Sequence, residues 1–335
     1  SPDSTDTPTE ELSYALGHFF LPHRTRDAFH TKAVSTESTV AYDEHQLLPV
    51  ETRDALGNRV TVGERRADGT IDTGRPGNDY RVLQSALVTD ANRNRTQVAF
   101  DALGMVVGTA VMGKRGQDLG DSLVGFVSDL DEVVTLAHLA KPVDAPEEIL
   151  GRATTRLVYD LFAYHRSRSS PMPQPVAVYT LQRETHDRDL AAGATSKVQH
   201  TFSYGDGFGR EIQKVVLSEP GPVVTSGPVV HTRWARSGWT IFNNKGKPVR
   251  QYQPEFVPTH HFEFGVQAGV SSVLFYDPME RVITTLHPNS TYDKVVFDPW
   301  HRVTWDVNDT VLLDPQTDVD VSGYTAGYFA GLPTP

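Results

Sequence analysis

The sequence predicts a mainly β protein: antiparallel hairpins joined into a curved sheet, with one small helical insert near residues 121–151. Three observations predict it. The first is a duplicated unit, Phe275-Tyr276-Asp277-Pro278-Met279-Glu280-Arg281-Val282 and Val296-Phe297-Asp298-Pro299-Trp300-His301-Arg302-Val303. Each copy has an apolar or aromatic strand end, an Asp that bonds the backbone ahead of it, a Pro that pre-sets φ, and an Arg before the next strand. The second is the recurrence of Asp/Asn-x-x-Gly between β-rich arms at Asp54–Gly57, Asp101–Gly104, Asp206–Gly209 and Asn243–Gly246. Gly at the fourth position suits a type I turn closed by a left-handed bulge residue, a common longer hairpin loop. The third is strand alternation: Val282, Thr284 and Leu286 on one face, Ile283, Thr285 and His287 on the other. The spacing between copies is irregular, so the repeat is degenerate and not an array of equal blades.

In chain order, residues 1–16 read as a disordered lead-in, because residues 1–11 are rich in Ser, Thr, Pro, Asp and Glu. Residues 17–335 read as a single β-rich segment. It opens on the aromatic stretch Gly17–His23, and strands are expected at 39–42, 47–52, 80–88, 96–100 and 105–112. Residues 65–78 are a polar, Gly-rich loop, and Asp90-Ala-Asn-Arg93 is a weaker copy of the turn. Leu123, Phe126, Val127 and Leu130 are helically spaced, Val133 to Leu139 continues as helix, and Asp144-Ala-Pro-Glu147 is a helix start that Gly151 stops. Thr155 to Leu161 returns to strand alternation, with a longer helix to Phe162 as the alternative. Further strands are expected at 176–183 and 198–204, and residues 314–335 are turn-rich.

The 335 residues suffice for a sizeable core, and a formal net charge of −11 argues against nucleic acid as a partner, since binding phosphates needs basic patches. The absence of cysteine excludes disulfides, thiol catalysis and Cys-ligated metals. No stretch approaches the length of a membrane span, so no direct membrane insertion is expected. The chain begins at Ser1 and ends shortly after Tyr324, Tyr328 and Phe329, which reads as a piece of a larger protein continuing past Pro335.

The repeated aromatic-Asp-x-x-Gly/Glu-Arg unit resembles the YD repeat of Rhs proteins. Longer phrases resemble the middle-to-C-terminal region of the TcB subunit of bacterial insecticidal toxin complexes (SpvB/TcB-like). They include Phe19-Phe20-Leu21-Pro22-His23-Arg24, Thr52-Arg53-Asp54-Ala55-Leu56-Gly57-Asn58-Arg59, Asn78-Asp79-Tyr80-Arg81-Val82-Leu83, Ser203-Tyr204-Gly205-Asp206-Gly207-Phe208-Gly209-Arg210 and Thr304-Trp305-Asp306-Val307-Asn308. The resemblance spans about residues 17–329. It implies a β-ribbon wound into part of a hollow shell that encloses a toxic effector, with a TcC-like Rhs partner and a TcA-like pore subunit. It implies a bacterial, secreted protein in which Asp54, Gly57, Asp101, Gly104, Asp206, Gly209, Asn243, Gly246, Asp277, Pro278, Asp298 and Pro299 are architecture and carry no catalysis. A docking propeller, a self-cleaving Rhs core and a variable effector domain are not recognisable. No cofactor is expected.

Two other classes compete. Gly120-Asp121-Ser122-Leu123 matches the signature of GDSL hydrolases, whose Asp-x-x-His block has a formal counterpart at Asp298-Pro299-Trp300-His301. That resemblance implies an esterase with Ser122 as nucleophile, His301 as base and Asp298 orienting it. Against it, GDSL follows a long β-rich segment here, and Gly77-Asn78-Asp79 precedes the serine instead of following it. Asp298 is explained as a turn residue and Asp121-Ser122 as a helix cap. The second rival is a glycan-binding adhesin stacking sugars on Trp234, Trp239, Trp300 and Trp305, although alternating aromatics more often pack sheets. His261 and Glu263 could share a strand face as metal ligands, but no third ligand is identifiable, so no metal is expected.

Overall fold

A computed structural model describes residues 6–31, 33–75 and 77–331. The start of the expected lead-in, 1–5, and the end of the tail, 332–335, lie outside the described residues. Strands dominate, and the hairpin pairings among the described residues are antiparallel. Where the sequence reads as one segment, the chain resolves into two compact units, 1–158 with 180–199, and 159–179 with 200–335.

In the first unit the strands Arg24–Thr25, Ser38–Tyr42, Pro49–Arg53, Arg59–Val62, Leu87–Thr89, Arg95–Phe100 and Val106–Met112 pair in that order, with Thr155–Asp160 added at the Val106–Met112 edge. Near-sequential order is what short hairpin loops dictate. In the second unit Val198–Gly205, Glu211–Ser218, Arg233–Arg236 and Glu255–Val257 pair in order. A separate six-stranded sheet runs Thr240–Phe242, Pro248–Gln251, Val273–Tyr276, Val282–Leu286, Tyr292–Phe297, Arg302–Trp305.

The second unit is organised by buried aromatics. Phe202 stacks on Tyr179 at 4.5 Å and on His260 at 4.4 Å, and meets the edge of Trp234 at 5.8 Å. Tyr204 continues to Phe262 and donates its hydroxyl to the His260 carbonyl at 2.6 Å. Such rings bury large areas while the phenol keeps a partner. In the six-stranded sheet, Val273, Phe275, Ile283, Leu286 and Tyr292 form one cluster, closed by Val321 at the start of the helix Ser322–Phe329 and by Tyr328 within it.

Four expectations need correction. Pro8–Gly17 is a helix, not a disordered lead-in: the Thr7 backbone N–H donates to Glu10 at 2.8 Å, the Thr7 hydroxyl accepts from the Glu10 N–H at 3.4 Å, and Pro8 opens the helix. This reciprocal capping box outweighs the local polarity. The insert at 121–151 is helical only over Glu132–Ala140 and Glu147–Leu150. Residues 122–130 are irregular, with Gly125 at φ +79°, and Phe126 is drawn over the backbone of Gly108, where an added Cβ would meet its ring at 2.4 Å. Of residues 80–88, only Gln84–Ser85 and part of Leu87–Thr89 are strand, because Tyr80 to Leu83 is a turn. The tail contains the helix Ser322–Phe329.

A buried ion cluster ties the turn before the helix Ser322–Phe329 to the sheet in the second unit. Lys294, 4% exposed, holds Asp318, 3% exposed, at 2.8 Å and Asp320 at 2.7 Å, while the Tyr292 hydroxyl donates to Asp318 at 2.5 Å. Burial pushes the Asp318 carboxyl up, but the bonds from Lys294, Tyr292 and the Asp320 N–H outweigh it and hold the pKa below the ordinary 3.8. A depressed folded pKa contributes stability that is present above the unfolded value and lost as pH falls through the folded one. Asp318→Asn is therefore expected to lower stability at pH 7 by about 3 kcal/mol, since it leaves Lys294 with Asp320 alone. In urea titrations the difference from the parent should shrink as pH drops below 3.8. A difference that stays constant across that window would show the carboxylate charge to be irrelevant.

Candidate functional site

The feature the structure builds repeatedly is the aspartate-led turn. At Asp54, Asp90, Asp101, Asn243 and Asp277 the backbone N–H donates to the carbonyl four residues on, and the N–H three residues on donates back to the first carbonyl. The side-chain oxygen then accepts the N–H at the fourth following residue: Asn58 at 2.8 Å, Asn94 at 2.7 Å, Met105 at 2.8 Å, Lys247 at 2.9 Å and Arg281 at 2.9 Å. The residue before that one has positive φ: +83° at Gly57, +81° at Gly104, +80° at Gly246. Glycine adopts this region without the Cβ clash that other residues meet. Asp206 follows the same plan, accepting from Phe208 N at 2.8 Å and Arg210 N at 3.4 Å, with Gly209 at φ +79°.

At Asp54, Asp206 and Asp277 these hydrogen bonds favour the ionised carboxylate. At Asp54 the side-chain bond from Asn58 and then its backbone N–H hold the pKa below the ordinary range. At Asp277 burial opposes the shift, yet the backbone and guanidinium of Arg281 still leave the group depressed. Asp298 departs from its sister copy. Its N–H donates to His301, not Arg302, and its carboxylate accepts from the N–H groups of Trp300 and His301, both at 2.7 Å. The duplicated sequence thus makes two different turns, one residue apart in length.

In the second unit successive turns are clipped together. Arg210, four residues after Asp206, lies over Phe242, the residue before Asn243, at 4.8 Å. Arg281, four residues after Asp277, lies over Phe297, the residue before Asp298, at 4.1 Å. Each guanidinium is held by the carboxylate of its own turn while its face covers the ring before the next, as cation–π attraction favours. Between these links, Lys245 donates to the Pro278 carbonyl at 3.3 Å and Lys247 pairs with Glu280 at 3.0 Å. Beside the first link lies an apolar cavity of 590 Å³ whose walls include Tyr164, Ile212, Trp239, Ile241, Phe242 and Phe264.

The residues of the hydrolase reading have other partners. Ser122 belongs to the first unit, and its Oγ accepts the Val124 N–H at 3.1 Å. Asp298 and His301 belong to the second, where the exposed imidazole Nδ1 meets its own turn's carboxylate at 2.9 Å. Asp121 is the buried member of the GDSL tetrapeptide: its carboxylate accepts from Thr154, from His186 Nδ1 at 2.7 Å and from the Asp187 N–H at 2.7 Å, and faces Arg183 at 3.6 Å. No spacing rule in the sequence links Asp121 to His186. Of the four tryptophans, Trp234 is 1% exposed and Trp300 is 88% exposed at a turn tip, while Trp305 covers Lys294 at 4.8 Å. His261 and Glu263 lie beyond the strand Glu255–Val257 and not on it, and Glu263 is held by Arg236 at 2.9 Å. No group of three His, Asp or Glu able to hold a metal occurs among the described residues.

The turn-to-turn links are open to direct measurement. A double-mutant cycle on Arg281→Ala and Phe297→Leu, read by equilibrium unfolding, should give a coupling of about 0.5–1 kcal/mol. Zero coupling would mean that the two turns stand independently.

No protein-family model matches the sequence, and no curated protein matches it. Solved structures do match. A chain in the crystal structure of TcdB2-TccC3 is similar with a TM-score of 0.62 and 21% identity, covering 92% of this chain and 16% of that one. A chain in TcdB2-TccC3-Cdc42 gives 0.62 and 20% identity over 94% of this chain and 18% of the other. A third, in TcdB2-TccC3-TEV, gives 0.63 and 20% identity over 90% and 16%. The present chain thus spans a small part of those proteins, and at this identity the likeness is one of fold.

Proposed function

We propose that the chain is a structural, non-enzymatic wall segment of a TcB-like, Rhs-type toxin-complex shell, secreted by a bacterium, which helps to house or deliver an effector. The observation that carries the reading is the fold match to TcdB2-TccC3 across 92% of the chain. It is supported by what the repeated chemistry of the turns does: the Asp54, Asp101, Asp206 and Asp277 carboxylates are committed to their own backbone, which suits a scaffold and leaves them no role as acid or base. The partner implied is a TcC-like Rhs protein, and beyond it a TcA-like pore subunit. The names YD repeat and SpvB-like belong to this same reading.

The test is protection of cargo. When the protein containing this chain is co-expressed with a TcC-like Rhs partner and its effector, the effector is expected to resist added protease until the complex is denatured. Free digestion of the effector in an assembled complex would overturn the reading. Ester turnover by the chain that vanishes in Ser122→Ala, with circular dichroism unchanged, would overturn it in favour of a serine hydrolase.

A further inference from the structure

The first unit holds a concave site of 540 Å³ lined by Arg65, Arg66, Arg93, Arg95, Lys114 and Arg115, together with Ala67, Thr89 and Gln117. So many cations on one cavity are unexpected in a chain of net charge −11. Two carboxylates answer some of them. Glu64 binds Arg95 at 2.5 Å, Arg75 at 3.4 Å and Arg115 at 3.5 Å, and Asp72 binds Arg66 and Arg115, both at 2.9 Å. No carboxylate contacts Arg65, Arg93 or Lys114 among the described residues. The Asp90 carboxylate, nearby, is engaged by the backbone and side chain of Asn94.

Arg65 is the most informative of the three. It is 8% exposed, its Nη2 donates to the Asp90 carbonyl, and its Nε is buried without a hydrogen-bond partner. A buried, incompletely satisfied guanidinium is costly unless an anion meets it. Burial, and then the charges of Arg59 and Arg93, depress its pKa, with Asp90 and Glu51 opposing. An independent observation concerns Arg93. It has φ +70° at the turn position that Gly57, Gly104, Gly209 and Gly246 fill elsewhere. Glu280, at φ +64°, is the other non-glycine residue at this position among the sister turns, and at Arg93 the backbone strain lies at the rim of the cavity, a place where ligand sites gather such strain.

We propose that this cavity binds a small phosphate-type polyanion, with Arg65, Arg93 and Lys114 supplying the charge that Glu64 and Asp72 leave unanswered. Guanidinium forks match phosphate oxygens in pairs, and a lysine adds a point charge. The cavity is of small-molecule size. The proposal is independent of the shell reading.

Calorimetric titration of the chain at low ionic strength with tripolyphosphate tests it. Binding is expected to weaken at least tenfold in Arg93→Gly, a change the turn geometry accommodates, so the melting temperature without ligand should not fall. Lys114→Gln should weaken binding as well. ATP binding at least as tightly as tripolyphosphate supports the site with a nucleotide as the source, whereas tripolyphosphate binding with ATP excluded supports free polyphosphate. No binding to the parent chain, affinity unchanged in Arg93→Gly, or citrate binding as tightly as tripolyphosphate would overturn the assignment.

Discussion

The constraint on which the rest depends is a carboxylate turned back on its own chain. A hairpin loop leaves N–H groups pointing inward that no strand can satisfy, and an unpaired backbone donor is expensive. At Asp54 and Asp101 one oxygen takes two of them, from Leu56 and Asn58 and from Leu103 and Met105. This fixes the loop at one length. Loop length then fixes which residues face each other on the two strands, and therefore which side chains face the core. The ladder shows the consequence. The register shifts between Ala99 and Phe100, and again between Phe275 and Tyr276, each just before the turn aspartate.

Turns so defined can be joined. The arginine closing one loop extends beyond its own carboxylate to the aromatic that precedes the next, at Arg210 over Phe242 and at Arg281 over Phe297. One residue thus serves two loops: its edge satisfies the carboxylate and its face covers the ring. The core behind them is conventional in its physics but has polar groups inside, several of them in well-paired networks. Tyr179 meets His200 at 2.7 Å, Thr310 donates to the Tyr292 carbonyl at 2.6 Å, and Lys294 sits between carboxylates. Buried polar networks of this kind discriminate against alternative packings when every member is satisfied.

Much of this is legible in the amino-acid sequence. Asp-x-x-Gly announces both the carboxylate cap and the left-handed residue, and alternation such as that at Val282–Leu286 announces the strands. The misses have physical reasons. Thr7-Pro8-Thr9-Glu10 carries a full helix-start signal, overshadowed by the polarity around it. Leu123, Phe126, Val127 and Leu130 have helical spacing, but tertiary packing of Phe126 against Gly108 and Arg156 decides that segment. The helix Ser322–Phe329 contains glycines and lacks a side-chain cap. It forms where Val321 and Tyr328 pack against the sheet cluster, which no local pattern reveals. Of the candidate site, the arginine four residues after the aspartate was visible, but its reach to the following aromatic is a long-range contact. The links Asp121–His186 and Lys294–Asp318 are invisible for the same reason.

Amide hydrogen exchange at single-residue resolution tests most directly whether the carboxylates govern the strands. The comparison is between the parent chain and one carrying Asp54→Ala, Asp101→Ala, Asp206→Ala and Asp277→Ala together. The account predicts that protection falls along the whole of each flanking hairpin, at Val106 and Val282 as well as at the loop amides. Protection lost only at the loop amides, with the flanking strands exchanging as slowly as before, would contradict it.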